Sequence, residues 1–217
     1  MINSIISHKH KYIYLYIPKV ACTTIRELLA RHEGIKYVPN WTMYGNRVAT
    51  TKFNYIKYKG GNKYKDYFKF SFVRNPWDRL VSCYADKVVG VRDRPNSFWV
   101  RNGNFKPFIH RYKRPFSKMS FDTFANLVII TPDKNSDGHF RSQYTFFENI
   151  NLDFIGRFEN LNADLDNVKR QLGIDLKHGH LWKSKRKRNY CDYYTPELAY
   201  LIGKRYEEDI EKFNYRF

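Results

Sequence analysis

Cysteine is scarce in this chain of 217 residues: Cys22, Cys83 and Cys191, an odd number without metal-ligand spacing. That pattern indicates neither a disulfide scaffold nor a zinc site, and a reducing compartment is the simpler inference. No run of 18 apolar residues occurs, so nothing reads as a membrane span, and the opening MINSIISHKHK lacks the apolar core of a secretory leader. On these grounds the expected location is the cytoplasm. Acidic residues are in deficit, 21 Asp and Glu against 39 Lys and Arg, for a net charge of +18. A field of that sign attracts polyanions: nucleic acid, nucleotides, anionic glycans or acidic lipid surfaces. Internal repeats, heptads and a composition break that would mark a linker are all lacking. With 42% hydrophobic and 18% aromatic residues the chain is not a disordered tail, and residues 1–217 are expected to form one domain with a full core.

The stretch YIYLYIPKVACTTIRELLAR, residues 12–31, organises the rest. Residues 12–17 are an unbroken apolar and aromatic run, which suits a strand covered on both faces, and Pro18 stops it. Ile25, Leu28 and Leu29 then recur at helical spacing. Thr24 and Glu27 have the spacing of a capping box, which predicts a helix starting near Thr24. Such a junction aims unpaired backbone N–H groups and the positive end of a helix dipole above the strand end, an arrangement that accepts an anion. Lys19 adds a full charge. An ordinary strand–loop–helix joint with a solvated lysine has the same local pattern, and Glu27 in a capping box would compete with an anion for the same donors.

Further along, KFSFV at residues 69–73 predicts a second strand, ended by Arg74, with Asn75 as N-cap and Pro76 at the first helical position. The helix from Pro76 to about Val89 places Trp77, Leu80, Val81, Tyr84 and Val88 on one face, with Asp78, Ser82 and Asp86 opposite and Arg79 beside them. Ser120 is expected to cap a helix carrying Phe121, Phe124, Leu127 and Val128. Residues 154–158 read as a third strand, and residues 160–172 as a helix closed by Gly173. One last helix begins at Thr195-Pro196 and presents Leu198, Leu201, Ile202, Tyr206, Ile210 and Phe213 to the core. Residues 34–66 are polar and aromatic, with room for a short strand or a loop, and residues 93–114 read as a long basic loop. Strands alternating with helices predict an α/β fold with a mostly parallel sheet and a ligand site at the carboxyl ends of its strands.

Four segments in this order resemble the sulfotransferases that use 3′-phosphoadenosine 5′-phosphosulfate (PAPS), most closely their carbohydrate sulfotransferase branch. IPKVACTT at residues 17–24 resembles the 5′-phosphosulfate loop, and FVRNPWDRLVS at residues 72–82 the 3′-phosphate motif. DFIGRFENL at residues 153–161 and the stretch from Tyr193 to Tyr215 resemble later blocks. Ala21 stands where glycine is frequent in the family, Ile25 where an aromatic is common and Asn75 where aspartate is. The resemblance implies a P-loop-like three-layer fold, with a central, mostly parallel sheet flanked by helices. It further implies transfer of a sulfuryl group from PAPS to a carbohydrate or glycan hydroxyl, with 3′-phosphoadenosine 5′-phosphate (PAP) as product and no metal required.

By the same resemblance, Lys19 stabilises charge on the leaving phosphate. Ala21, Cys22, Thr23 and Thr24 cradle the 5′-phosphate, Arg74 and Ser82 clamp the 3′-phosphate, and Ser184, Lys185 and Arg186 close over the nucleotide. KSKRKR at residues 183–188 also fits a nuclear-localisation pattern and a plain solvated charge run. A hydroxyl nucleophile wants a base. His139, in a histidine–aromatic–x–x–glutamine block, is the first choice, with His32, His110 and Glu159 as rivals. Arg92, Arg94, Arg101, Lys106, Arg111, Lys113 and Arg114 in the middle loop either meet an already anionic glycan or serve solubility. Two other classes compete. A P-loop small-molecule kinase would want G-x-x-x-x-G-K-[ST] and an acidic magnesium ligand after a second strand, neither of which the sequence offers. A non-enzymatic nucleic-acid binder would use the +18 charge and the interleaved aromatics. No specific nucleic-acid partner is expected, and the sequence leaves the oligomeric state open.

Overall fold

The computed structural model describes residues 2–35, 54–90, 119–174 and 188–217. They fall into two compact units, Met1–Arg74 with Gln143–Trp182, and Asn75–Ser142 with Lys183–Phe217.

The first unit is built on a five-stranded sheet in the order β3-β1-β2-β4-β5. Its strands are β1 (Ile2–Ser7), β2 (Tyr12–Leu15), β3 (Asn54–Tyr58), β4 (Phe68–Val73) and β5 (Phe154–Arg157). β2, β4 and β5 run parallel, with Tyr14 opposite Phe70 and Phe72 opposite Gly156. β1 is antiparallel to both of its neighbours, β2 and β3. The sheet is therefore mixed, which corrects the expectation of a mostly parallel one. The reason is local: the chain reverses through the short turn at residues 8–11, where Lys11 takes a left-handed φ of 48°, and a short hairpin pairs only antiparallel strands.

β2 is buried along its whole length. Ile13 and Leu15 join Ile6 and Tyr58 in one apolar cluster, while Tyr14 stacks on Phe70 at 5.1 Å on the alternate face. The two-sided burial explains why this strand reads as a continuous apolar run rather than an alternating one. Helices α1 (Cys22–His32) and α4 (Leu161–Leu172) belong to this unit. α1 buries Ile25, Leu28 and Leu29, each contributing about 1.5–3 kcal/mol of apolar burial.

Gly156 in β5 lies so close to β4 that an added Cβ would come within 2.4 Å of the Phe72 ring. A Gly156→Ala variant is expected to lose about 1–3 kcal/mol, because a close-packed neighbour must move. Urea unfolding measures this, and an unchanged midpoint would contradict the packing.

The second unit is helical. Helix α2 (Pro76–Tyr84) continues into a π-helical turn over Ala85–Val89, and α3 (Phe121–Ile129), α5 (Pro196–Arg205) and α6 (Glu207–Phe213) complete it. Side-chain oxygens start three of these helices: Asn75 accepts from the N–H groups of Trp77 and Asp78, Ser120 from Thr123, and Thr195 from Leu198. The core holds Trp77, Leu80, Val81, Phe124, Val128, Phe140, Ile202 and Tyr206. The single C-terminal helix expected from periodicity is two helices. The break falls at Tyr206, whose N–H is shared between the carbonyls of Ile202 and Gly203 and whose hydroxyl donates to the Phe140 carbonyl. No helix among the described residues is long and apolar enough to cross a membrane.

Candidate functional site

The loop between β2 and α1 departs from ordinary backbone at two places. Lys19 has φ 70° and Ala21 φ 48°, both left-handed. A residue with a Cβ is held there at about 1–2 kcal/mol, so the surroundings must enforce it. Ala21 is the N-cap of α1 and has no side-chain oxygen with which to cap it. A left-handed residue followed by the helical Cys22 turns successive N–H groups into one concavity, the backbone geometry that receives an anion.

The helix starts at Cys22, two residues before the start expected from a Thr24–Glu27 capping box. Glu27 instead pairs with Arg31 one turn on, at 2.5 Å, and no acidic residue lies in the first turn. The competition between Glu27 and an anion is thereby removed. Arg26 points its Nε–H to the Cys22 carbonyl at 3.1 Å and lies over the Tyr16 ring. On β2, burial pushes the Tyr14 phenol well above its ordinary pKa, with a smaller push from Cys22. It stays neutral and adds no negative charge to the strand that leads into the loop.

Arg74 directly follows β4 and is buried. One guanidinium N–H donates to the Lys19 carbonyl at 3.0 Å, and the guanidinium plane lies 3.9 Å from the Phe158 ring centre. Its backbone is clasped from both sides by one side chain. The Arg74 N–H donates to Gln143 Oε1 at 3.0 Å, and Gln143 Nε2 donates to the Arg74 carbonyl at 2.8 Å. Lys19 and Arg74, 55 residues apart in sequence, are thus brought together directly.

In the second unit Ser82 is buried on α2. His139 sits in the segment after α3 and is paired with Asp137. The two make a 2.5 Å contact between His139 Nδ1 and Asp137 Oδ1, and the His139 backbone N–H donates to the same oxygen at 2.9 Å. Asp137 is buried, whereas the His139 side chain keeps 17% of its exposure. A carboxylate on Nδ1 favours the neutral tautomer protonated there, with the basic lone pair on Nε2.

Three arginines hold this segment and the end of α3 by backbone carbonyls. Arg79 donates to Gly138 and Arg141, both at 2.8 Å, Arg141 to Ser136, and Arg205 to Val128 and Thr131. Arg205 also pairs with Asp133 at 2.5 Å. Burial alone would raise the Asp133 carboxyl, but Arg205 and the Ser142 N–H outweigh it and hold the group below its usual range.

The expected residues therefore divide. Lys19, Ala21, Cys22, Thr23 and Thr24 share one loop and helix start, and Arg74 joins them. Ser82 and His139 belong to the other unit. Ser184, Lys185 and Arg186, the rival base His110 and the basic residues of the middle loop lie outside the described residues. Of the other rivals, His32 occupies the last turn of α1, the far end from Lys19, and Glu159 is exposed in the turn after β5. Sequence reasoning missed Asp137, Gln143, Arg79 and Phe158. Two signals were there: the Asp-x-His spacing at residues 137–139, a common pattern, and the histidine–aromatic–x–x–glutamine block, which contains Gln143 but gives it no role. Among the described residues no group of three or more His, Cys, Asp or Glu side chains is arranged to hold a metal ion.

The profile of the Sulfotransferase family matches residues 3–216. Carbohydrate sulfotransferase 11 of Rattus norvegicus is 27% identical over 189 residues, covering 78% of this chain and 53% of its own length. Carbohydrate sulfotransferase 12 of Xenopus laevis is 29% identical over 204 residues, covering 79% and 48%. Carbohydrate sulfotransferase 14 of Homo sapiens is 22% identical over 178 residues, covering 76% and 45%. The chain spans about half the length of these curated relatives. No solved structure matches it. The relatives overturn the cytoplasmic location expected from the sequence. Carbohydrate sulfotransferases of this kind are typically Golgi type II membrane proteins with a lumenal catalytic domain, so neither cysteine content nor the opening residues of this sequence fix a compartment.

Proposed function

The chain belongs to the Sulfotransferase family, and on that premise we propose that it transfers a sulfuryl group from PAPS to a hydroxyl of a carbohydrate acceptor. The observation that carries this reading is the direct bond from Arg74 to the carbonyl of Lys19. It joins the two segments that resemble the phosphosulfate loop and the 3′-phosphate motif. The parallel strands β2, β4 and β5, the left-handed loop and α1 support a P-loop-like three-layer reading of the fold, and a family match running through both units supports one domain over residues 1–217.

The donor set fits a phosphosulfate: a lysine, a concave run of backbone N–H groups and a helix start without an acidic side chain. When bound, PAPS supplies the activated sulfuryl group. Lys19 places its ammonium where charge builds on the leaving phosphate. The N–H groups of Cys22, Thr23 and Thr24 bind the 5′-phosphate with the α1 dipole behind them. Arg74, with Ser82, recognises the 3′-phosphate, and its hold on the Lys19 carbonyl couples that recognition to the loop's shape. Ser184, Lys185 and Arg186 complete the nucleotide contacts. His139 Nε2 accepts the proton of the acceptor hydroxyl, while Asp137 keeps the proton on Nδ1 and stabilises the imidazolium that forms. No metal ion is assigned a role.

Calorimetry with PAP and with adenosine 5′-monophosphate tests the nucleotide assignment. The 3′-phosphate adds charged hydrogen bonds of about 1.5–3 kcal/mol, so PAP is expected to bind roughly 10–100-fold tighter. Equal, weak binding of both would remove Arg74 and Ser82 from the site.

A further inference from the structure

Far from the loop, at the other end of α1, two histidines from different elements meet. His10 lies in the turn between β1 and β2, and His32 in the last turn of α1, about 15 Å along the helix from Cys22. Their Nε2 atoms are 3.1 Å apart and their ring centroids 4.4 Å apart. Two neutral imidazoles account for that contact by one N–H pointing at the other's lone pair. The spacing is also the bite of a divalent first-row metal. Nitrogens about 2.05 Å from zinc and separated as here subtend about 98° at the ion, between the octahedral and tetrahedral angles.

We propose that His10 and His32 form a two-histidine site for a borderline transition-metal ion such as zinc, with water completing the shell. Both rings are half-buried, open to an ion yet held in place. The backbone N–H of His10 donates to the Ser7 hydroxyl at 3.1 Å, and the end of α1 is closed by backbone N–H groups of Glu33 and Ile35 on the carbonyls of Leu29 and Ala30. The carbonyl end of a helix carries partial negative charge, which favours a cation beside His32. Glu33 follows directly in sequence, and one oxygen of its carboxylate accepts the Tyr12 hydroxyl at 3.1 Å. Lys9 and Lys11 flank His10 but are exposed, where water screens them. Among the described residues no third ligand joins the pair, so the ion is exchangeable. His8 is a built-in control: its Nδ1 contacts the Tyr67 hydroxyl at 2.9 Å instead of the pair.

The test is titration of the full chain with zinc chloride, followed by calorimetry and by imidazole NMR, and it does not depend on the transfer reaction. Equimolar zinc is expected to shift the ring resonances of His10 and His32 and to spare those of His8. His10→Ala and His32→Gln are each expected to bind one zinc ion fewer than the parent protein, while His8→Ala binds as many. Should a variant fail to fold, the resonances of the parent protein still decide. Unchanged uptake in both variants, or shifts confined to other histidines, would overturn the site.

Discussion

Lys19→Met is expected to lower the single-turnover rate of sulfuryl transfer about 10²–10³-fold and to leave the melting midpoint where it was. The size follows from removing one preorganised charge at the place where charge develops in the transition state. The unchanged fold follows from the loop. Residue 19 is held at a left-handed φ of 70° by its backbone, whose carbonyl takes the Arg74 hydrogen bond whatever side chain is present. Methionine has a similar stem and meets the same backbone strain as lysine, so the comparison isolates the ammonium. Lys19→Gly would be a poorer probe, because glycine relaxes the left-handed position and loosens the loop. Rapid-quench measurement with PAPS and a sugar acceptor reads the rate. A Lys19→Met enzyme transferring sulfate as fast as the parent would end the assignment of Lys19, even with PAP binding intact.

What the sequence reveals about this molecule is what its local signals encode. The caps at Asn75, Ser120 and Thr195 are each one side chain meeting an N–H two or three residues on, and each helix start was legible. The first strand was not. Ile2–Ser7 becomes a strand by pairing with β2 on one side and β3 on the other, and the second of those partners lies some fifty residues away. With β1 unseen, the sheet looked parallel. The Thr24–Glu27 spacing was a true pattern with a false meaning, because the helix start is set by Ala21 in a conformation that alanine rarely adopts. The apolar period runs unbroken through Ile202, Tyr206 and Ile210, and the helix still divides at Tyr206, where the hydroxyl is claimed by Phe140. At the site, residue types were legible and their supports were not. Lys19, Arg74 and His139 could be picked from motifs, but Asp137 under His139 had only a common Asp-x-His spacing behind it, and Gln143 clasps Arg74 across 69 residues, a contact that no local spacing announces.

Arg79→Met is expected to cost about 2–4 kcal/mol of stability and to disturb His139 in the molecules that remain folded. The sequence places Arg79 beside the polar side of α2, yet it is 2% exposed, with its guanidinium spent on the carbonyls of Gly138 and Arg141. Those two carbonyls bracket His139. Without the donors each half-buried carbonyl loses its partner, at up to about 1–3 kcal/mol apiece. Part of that loss is offset, since the arginine is itself costly to bury and burial pulls its pKa below the ordinary value. Arg79→Lys keeps the charge, but one ammonium cannot reproduce a planar fork that reaches two carbonyls, so it should fall between parent and methionine. Urea unfolding followed by tryptophan fluorescence gives the stability, and the His139 ring resonances report the local geometry. A methionine variant as stable as the parent, with those resonances unmoved, would mean that the segment carrying the base holds its shape without the arginine.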